Sequence, residues 1–385
     1  MHDLTQSQPT ILPLAEVHPL PSAGSCPPLP KGIARLAASA PRAEAKRSIE
    51  YFELPARSIL NRCTSERVPF RWTINPYRGC EFGCKYCYAR YTHEYMELDG
   101  AEFERKIYAK QHARELLARE LQREKVYGEH IAIGTATDPY QPAEREFGVT
   151  RAILETLAEK CGLSLSITTK SNQVVRDLDV LRRIHDRSSL HINVTITTLN
   201  ARLARALEPR APTPALRLEA VRILRAAGLT VGVFIMPVLP GITDRVEDLE
   251  ALVRAAAEHG AEYVAAGVLF LMPSAQKQFF PFLEGEFPRL VKQYRKLYAR
   301  SAYAPNEYKQ RISQLMAALR AKYGLSASPK EYVAEGLVAS SPQLSLFAVR
   351  PAQSEASPQR TQSPQTNFTP QPPAIVNRQF CSCRP

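Results

Sequence analysis

A chain of 385 residues, 44% hydrophobic and 23% charged, can bury one large core with room for a subdomain and tails. No apolar run reaches the 18 residues of a membrane span, and the start, MHDLTQSQPTILPL, lacks the basic end and apolar stretch of a signal peptide, so a membrane or secreted protein is not expected. The formal charge of +12 points to an anionic partner, for which nucleic acid is the usual candidate.

Residues 1–48 are rich in Pro, Ala and Ser without a sustained period, and read as a disordered or extended lead. Structure is expected from Ile49 onward. Trp72 to Pro76 reads as a first strand that delivers the chain into NPYRGCEFGCKYCYAR, Asn75 to Arg90. Past this loop, Phe103, Ile107, Leu117 and Leu121 fall on one face of a long helix ending near Lys125.

From there strands and helices alternate. Strands are expected at His130–Thr137, Leu163–Thr169, Leu190–Thr198, Leu229–Met236 and Ala261–Leu271, rich in β-branched residues. The helices between them carry apolar stripes: Ile153, Leu154 and Leu157, then Leu178, Leu181 and Ile184, and later Val246, Leu249 and Val253. Cys161 falls on the buried face of the first of these. Thr213-Pro214 supplies an N-cap and a first-turn proline, and Gly228 the stop. Six strands alternating with helices imply parallel strands joined by right-handed crossovers, an α/β core over residues 49–275. Residues 276–335 read as a helical extension with helices near 287–300 and 306–323.

Beyond these, residues 336–385 form a tail of Pro, Gln, Ser and Thr that reads as disordered. Within it Gln343-Leu344-Ser345-Leu346-Phe347 is a polar anchor followed by a Leu/Phe pair, and Cys381 and Cys383 stand as C-x-C, too few sulfurs for a cluster site.

The loop carries the chemistry. Cys80, Cys84 and Cys87, spaced C-x3-C-x2-C, can hold three corners of an iron–sulfur cube and leave the fourth iron open, as a reactive centre requires. A zinc site is the alternative, but structural zinc takes four ligands and only His93 lies near enough to be the fourth. A chance cluster of core cysteines is the other. Thiolates that hold iron must stay reduced, which argues for the cytoplasm.

CEFGCKYCY resembles the cluster motif of the radical S-adenosylmethionine (radical SAM) enzymes, including aromatic Tyr86 before the last cysteine. Gly134-Thr135-Ala136-Thr137-Asp138-Pro139-Tyr140-Gln141-Pro142-Ala143-Glu144 resembles the G-T-x-T-D-P-Y-Q-P-x-E signature of the spore photoproduct lyase-like, or DNA repair photolyase-like, branch. The resemblance spans roughly residues 60–275. It implies a partial, open (β/α)6 TIM-type barrel with chemistry at the C-terminal strand ends, extra C-terminal helices and disordered termini. It further implies a 4Fe-4S cluster, S-adenosylmethionine, and an electron donor such as flavodoxin or ferredoxin. Thr137 and Asp138 would face the polar end of the cofactor, Lys170 its carboxylate, Thr197 its carboxylate or ribose, and Tyr86 and Met236 its adenine.

In spore photoproduct lyase a cysteine on the strand after the cluster returns a hydrogen atom to the substrate. Here His130 to Asp138 contains none, and Thr135 stands near that place. The implied reaction is radical chemistry on nucleic acid, DNA repair-like. Radical modification of a protein, peptide or RNA is the alternative, as is a nucleic-acid-binding protein with a structural or redox-sensing cluster. The Gln343–Phe347 segment resembles the peptide with which bacterial repair proteins enter the sliding clamp, which would bring the chain to DNA.

Overall fold

Alternation along the expected strands sets the architecture, because strand residues of one parity pack under helices while the other parity faces a concave interior. The computed structural model describes residues 31–40, 42–46, 49–66 and 68–329, all within one compact unit. In chain order the first strands are β1 (Arg42–Lys46), β2 (Ile49–Leu54), β3 (Leu60–Arg62), β4 (Trp72–Ile74), β5 (Tyr77–Arg78) and β6 (Lys106–Lys110). They are followed by β7 (His130–Ile133), β8 (Ser164–Thr169), β9 (Ser189–Thr195), β10 (Thr230–Val238) and β11 (Tyr263–Val268).

Six strands form the expected parallel sheet in the order β11-β10-β9-β8-β7-β4, with β3 added antiparallel at the edge. The sheet is open, and helices Val149–Ala158, Leu178–His185, Pro214–Ala226 and Val246–Glu258 supply the crossovers. Thr213 caps Pro214–Ala226 by accepting a bond from Leu216 N. Ile131, Ile133, Leu165, Ile167, Ile192, Val194, Val231 and Val233 form the apolar face under the helices.

The opposite, concave face is polar. Register places Ser166 beside His191, Thr168 beside Asn193, and Gly232 between Asn193 and Tyr263. His130 bonds Ser164 and Ser166 through its two ring nitrogens, each at 2.8 Å. The Tyr263 ring lies flat on Gly232, where a Cβ would come within 2.1 Å of it, and its hydroxyl donates to Asn193 Oδ1 at 2.5 Å.

A second sheet, β1-β2-β6-β5, stands beside the first and contradicts two expectations. The long helix from Phe103 is instead β6 followed by helix Ala113–Arg123. Ile107 and Ala109 alternate with Tyr108 and Lys110 between β2 and β5, and His112, with φ of 54°, turns the chain from strand to helix. The end of the lead is ordered as well, as helix Gly32–Ser39 and β1. Its order comes from burial, since Ala37 joins an apolar cluster with Leu54, Met96 and Tyr108.

The C-terminal extension contains helices Pro273–Glu286, Val291–Leu297 and Asn306–Tyr323. Ala275, Phe279 and Leu283 of the first share one apolar cluster with Cys80, Phe82 and Cys84. Cys161 lies beyond the end of its helix, half-buried, and accepts bonds from Arg187 Nη2 and Nε at 3.0 and 3.3 Å; it is not packed in the core. Gln343–Phe347, Cys381 and Cys383 lie outside the described residues. No described helix is long and apolar enough to cross a membrane.

Candidate active site

The loop after β5 must pass close under β6, and glycine makes this possible. Gly79 has φ of 86°, and a Cβ there would meet the Lys106 and Phe103 carbonyls at 2.6 and 2.9 Å. Cys80 N donates to the Phe103 carbonyl at 3.0 Å and Cys87 N to the Cys84 carbonyl at 3.2 Å, winding the chain so that all three thiols belong to one short loop. Cys80 and Cys84 are buried, Cys87 is half-buried, and all are free.

Burial pushes the three thiols up, Cys84 to about 12 despite the opposing pull of Lys170. Buried, reduced thiols of this kind ionise when a metal centre supplies positive charge. Among the described residues no three His, Cys, Asp or Glu side chains converge on the position of a single ion. Three thiolates, one for each of three irons, are the donor set that a cubane with an open fourth iron takes, whereas structural zinc takes four ligands. The zinc reading finds no fourth ligand in His93, which is buried with Nε2 bonded to the Lys106 carbonyl at 3.0 Å and, among the described residues, joins no group of His, Cys, Asp or Glu able to hold an ion.

The stretch from Gly134 to Glu144 fastens this loop from behind. Gln141, fully buried, donates from Nε2 to the Gly79 carbonyl at 3.1 Å and accepts from Glu81 N at 2.9 Å. The Thr137 hydroxyl donates to the same Gly79 carbonyl at 2.6 Å. Asn75 Oδ1 accepts from Ala136 N at 2.7 Å. Tyr77, at the loop entrance, donates to Glu144 Oε2 at 2.5 Å.

Asp138 accepts from Tyr140 N at 2.9 Å, from the Thr169 hydroxyl at 2.6 Å and from Lys170 N at 2.7 Å, tying the turn to the top of β8. Burial raises its carboxyl although these bonds work against it. The polar atoms of Thr137 and Asp138 are thus spent on backbone groups and on the side chains of Gln141 and Thr169.

Tyr86, Lys170 and Thr197 are brought together beside the cysteine loop. Lys170 Nζ lies 5.8 Å from the centre of the Tyr86 ring. The Tyr86 hydroxyl meets Thr197 Oγ1 at 3.1 Å and donates to Glu208, to which Thr197 also donates at 2.8 Å. Glu208 forms a buried ion pair with Arg217, whose guanidinium also donates to the Pro212 and Thr195 carbonyls at 2.9 and 3.0 Å. Burial pulls Lys170 down, but Cys84, Glu208 and Asp138 outweigh it and its ammonium is raised. Burial pushes Glu208 up, and Arg217 and Lys170 more than offset it, holding the carboxylate below 4.5. Met236 stands apart at the end of β10, half-buried beside Gly267.

Glu208, Arg217 and Arg90 are the residues missed from the sequence. Arg90, fully buried, donates to the Cys84 and Gly100 carbonyls at 3.2 and 3.1 Å and pairs with Glu104. Gln141 had a signal, its place in the quoted stretch. Glu208 and Arg217 had none, because neither flanks a motif.

The chain resembles known proteins. A profile of the Radical SAM superfamily matches residues 74–256. An uncharacterised protein of Mycobacterium tuberculosis is 37% identical over 280 residues, 72% of this chain and 82% of its own length. Another from Methanocaldococcus jannaschii is 29% identical over 197 residues, 51% of this chain and 70% of its own. Among solved structures, a spore photoproduct lyase variant with bound AdoMet and dinucleoside spore photoproduct aligns at a TM-score of 0.54 and 13% identity, covering 78% of this chain and 85% of that one. At that identity the likeness is one of fold.

Proposed function

Because this chain belongs to the radical SAM superfamily, whose members use a 4Fe-4S cluster and S-adenosylmethionine, we propose that it directs a 5′-deoxyadenosyl radical onto nucleic acid in a repair-like reaction. The observation that carries the reading is the meeting of three free thiols, two buried and one half-buried, with Lys170 and Tyr86 at the ends of parallel strands. When bound, the cluster supplies the electron that cleaves S-adenosylmethionine.

Every other role belongs to the chain. Cys80, Cys84 and Cys87 hold three irons. Lys170, kept charged by its anionic neighbours, receives the cofactor carboxylate as a compact cation. Tyr86 offers its ring to adenine, with Thr197 and Glu208 fixing that ring by its hydroxyl. Thr137, Asp138 and Gln141 position the loop and the Lys170 backbone, and Met236, near the end of β10, is the group left for the adenine. Flavodoxin or ferredoxin would deliver the electron.

Support for nucleic acid comes from the charge of +12 and from the fold shared with an enzyme solved with a dinucleoside lesion. By the resemblance of its sequence Thr135 stands near the place where that enzyme's reaction uses a thiol, so the proposed substrate is a different damaged or modified nucleotide. Protein reconstituted anaerobically with iron and sulfide, then given dithionite and S-adenosylmethionine, should yield 5′-deoxyadenosine and methionine, and Cys84→Ala should yield neither. Ultraviolet-damaged or base-modified oligonucleotides should raise the yield over undamaged ones. Stimulation by peptides and by no oligonucleotide would reject the reading.

A further inference from the structure

Beside the cysteines, aromatic rings run in an unbroken row over the surface. Tyr95 and Tyr91 lie 5.4 Å apart, Tyr91 and Tyr88 6.5 Å, Tyr88 and Phe270 6.1 Å, and Phe270 and Tyr303 4.5 Å, centroid to centroid. Tyr95 is 66% exposed and Tyr88 39%, while Tyr91, Phe270 and Tyr303 are half-buried. Four of the five are tyrosines, the residue suited to a surface dry on one side and wet on the other.

The row crosses the site at its middle. Tyr88 follows Cys87 directly, and Phe270 lies just past the end of β11, where the parallel strands present their C-terminal ends. Its central rings are also fixed in advance. The Tyr88 hydroxyl donates to the Thr135 carbonyl, and Phe270 and Tyr303 face each other across a backbone bridge braced by Leu271 N donating to the Ala302 carbonyl at 2.8 Å. A surface already ordered loses little entropy when it binds.

Charge selects the occupant. Lys309 Nζ stands 5.6 Å from the centre of the Tyr303 ring. Glu94, the carboxylate on the same short helix as Tyr91, has Lys277 at 3.7 Å. Aromatic rings interleaved with cations are what single-stranded nucleic acid uses, its bases stacking and its phosphates meeting the cations.

We propose that the row from Tyr95 through Tyr88 and Phe270 to Tyr303 is a stacking platform for unpaired nucleotides, which lays a single strand across the mouth of the barrel. The inference rests on the nucleic-acid reading above and adds the form of the substrate: a single-stranded or locally opened segment, not an intact duplex.

Fluorescence anisotropy on the full, anaerobically reconstituted chain tests this with three labelled probes: a 12-mer of thymidine, the same length of abasic deoxyribose phosphate, and a 12-base-pair duplex. The thymidine strand should bind at least tenfold more tightly than either of the others. Tyr95→Ala and Tyr303→Ser should each weaken it by roughly fivefold to a hundredfold, while Tyr95→Phe retains it. Iron content and 5′-deoxyadenosine formation without substrate should be unchanged in Tyr95→Ala, showing that the fold and cluster survive. Equal binding of the abasic strand, or tight binding undiminished by both Tyr95→Ala and Tyr303→Ser, would overturn the platform and leave the nucleic-acid reading standing. Failure to bind any of the three probes would overturn both. A labelled acidic peptide that binds where the oligonucleotides do not, and is lost in Tyr95→Ala, would assign the row to a peptide instead.

Discussion

The side-chain amide of Gln141 ends on the carbonyl of Gly79, one residue before the first cysteine, and reaches Glu81 N with its oxygen. One buried side chain thus spans Cys80 on both sides. Gln141→Leu keeps the volume but leaves Glu81 N–H without this acceptor, at a cost of about 1–3 kcal/mol. The expected result is a lower iron content after reconstitution, read by iron assay, in a protein whose far-ultraviolet circular dichroism is unchanged.

Lys170 Nζ lies 5.8 Å from the centre of the Tyr86 ring, and the carboxylates of Glu208 and Asp138 favour its charge. In Lys170→Met the cluster absorption should persist while affinity for S-adenosylmethionine, measured by equilibrium dialysis, falls about tenfold to a hundredfold, the worth of one charge-assisted hydrogen bond. Unchanged affinity would remove Lys170 from the cofactor site.

Arg217 and Glu208 form a pair in which both side chains are 1% exposed. Arg217→Met strands the carboxylate and should destabilise the fold by about 3–5 kcal/mol in denaturant titration. Adding Glu208→Gln should recover much of that loss, since the uncompensated charge is then gone.

How far these groups could be read from the sequence follows from what each one contacts. The six parallel strands showed themselves as β-branched runs between helical stripes, and the cysteines by their spacing. β6 was hidden because Phe103, Ile107, Leu117 and Leu121 also satisfy a helical period, and only pairing with β2 and β5 decides between the two. Thr137 and Asp138 were expected to face the cofactor's polar end, but the direction of a polar side chain depends on which neighbouring groups need partners. Here those were the Gly79 carbonyl and Lys170 N. Glu208 and Arg217 were invisible, because their value lies in meeting each other under Tyr86.

His93 gives the fold an acid limit. Burial lowers its pKa from 6.5 to about 4, the bond to the Lys106 carbonyl only partly opposing it. The neutral ring is the folded form, so its contribution is complete above pH 6.5 and lost as pH falls through about 4. That span corresponds to about 3 kcal/mol. The melting temperature of His93→Phe should therefore depend less on pH between 6.5 and 4 than that of the unaltered chain.

Gly232 tests the floor of the concave face. Gly232→Ala sets a methyl group into the Tyr263 ring and should cost about 1–3 kcal/mol by overpacking. Tyr263→Leu in the same chain should return part of it, and additive losses would show that the ring does not rest on the glycine.

β4 belongs to the large sheet and β5 to the small one, with only Asn75 and Pro76 between them. The cysteine loop is therefore anchored at its root in two sheets at once, and opening either one would release it. A fragment trimmed to residues 74–256 would keep every cysteine of the loop and lose Ile49–Leu54, the strand beside β6. Such a fragment should take up iron poorly for mechanical reasons. The unit that holds a cluster is therefore expected to reach back at least to Ile49, about twenty-five residues before residue 74.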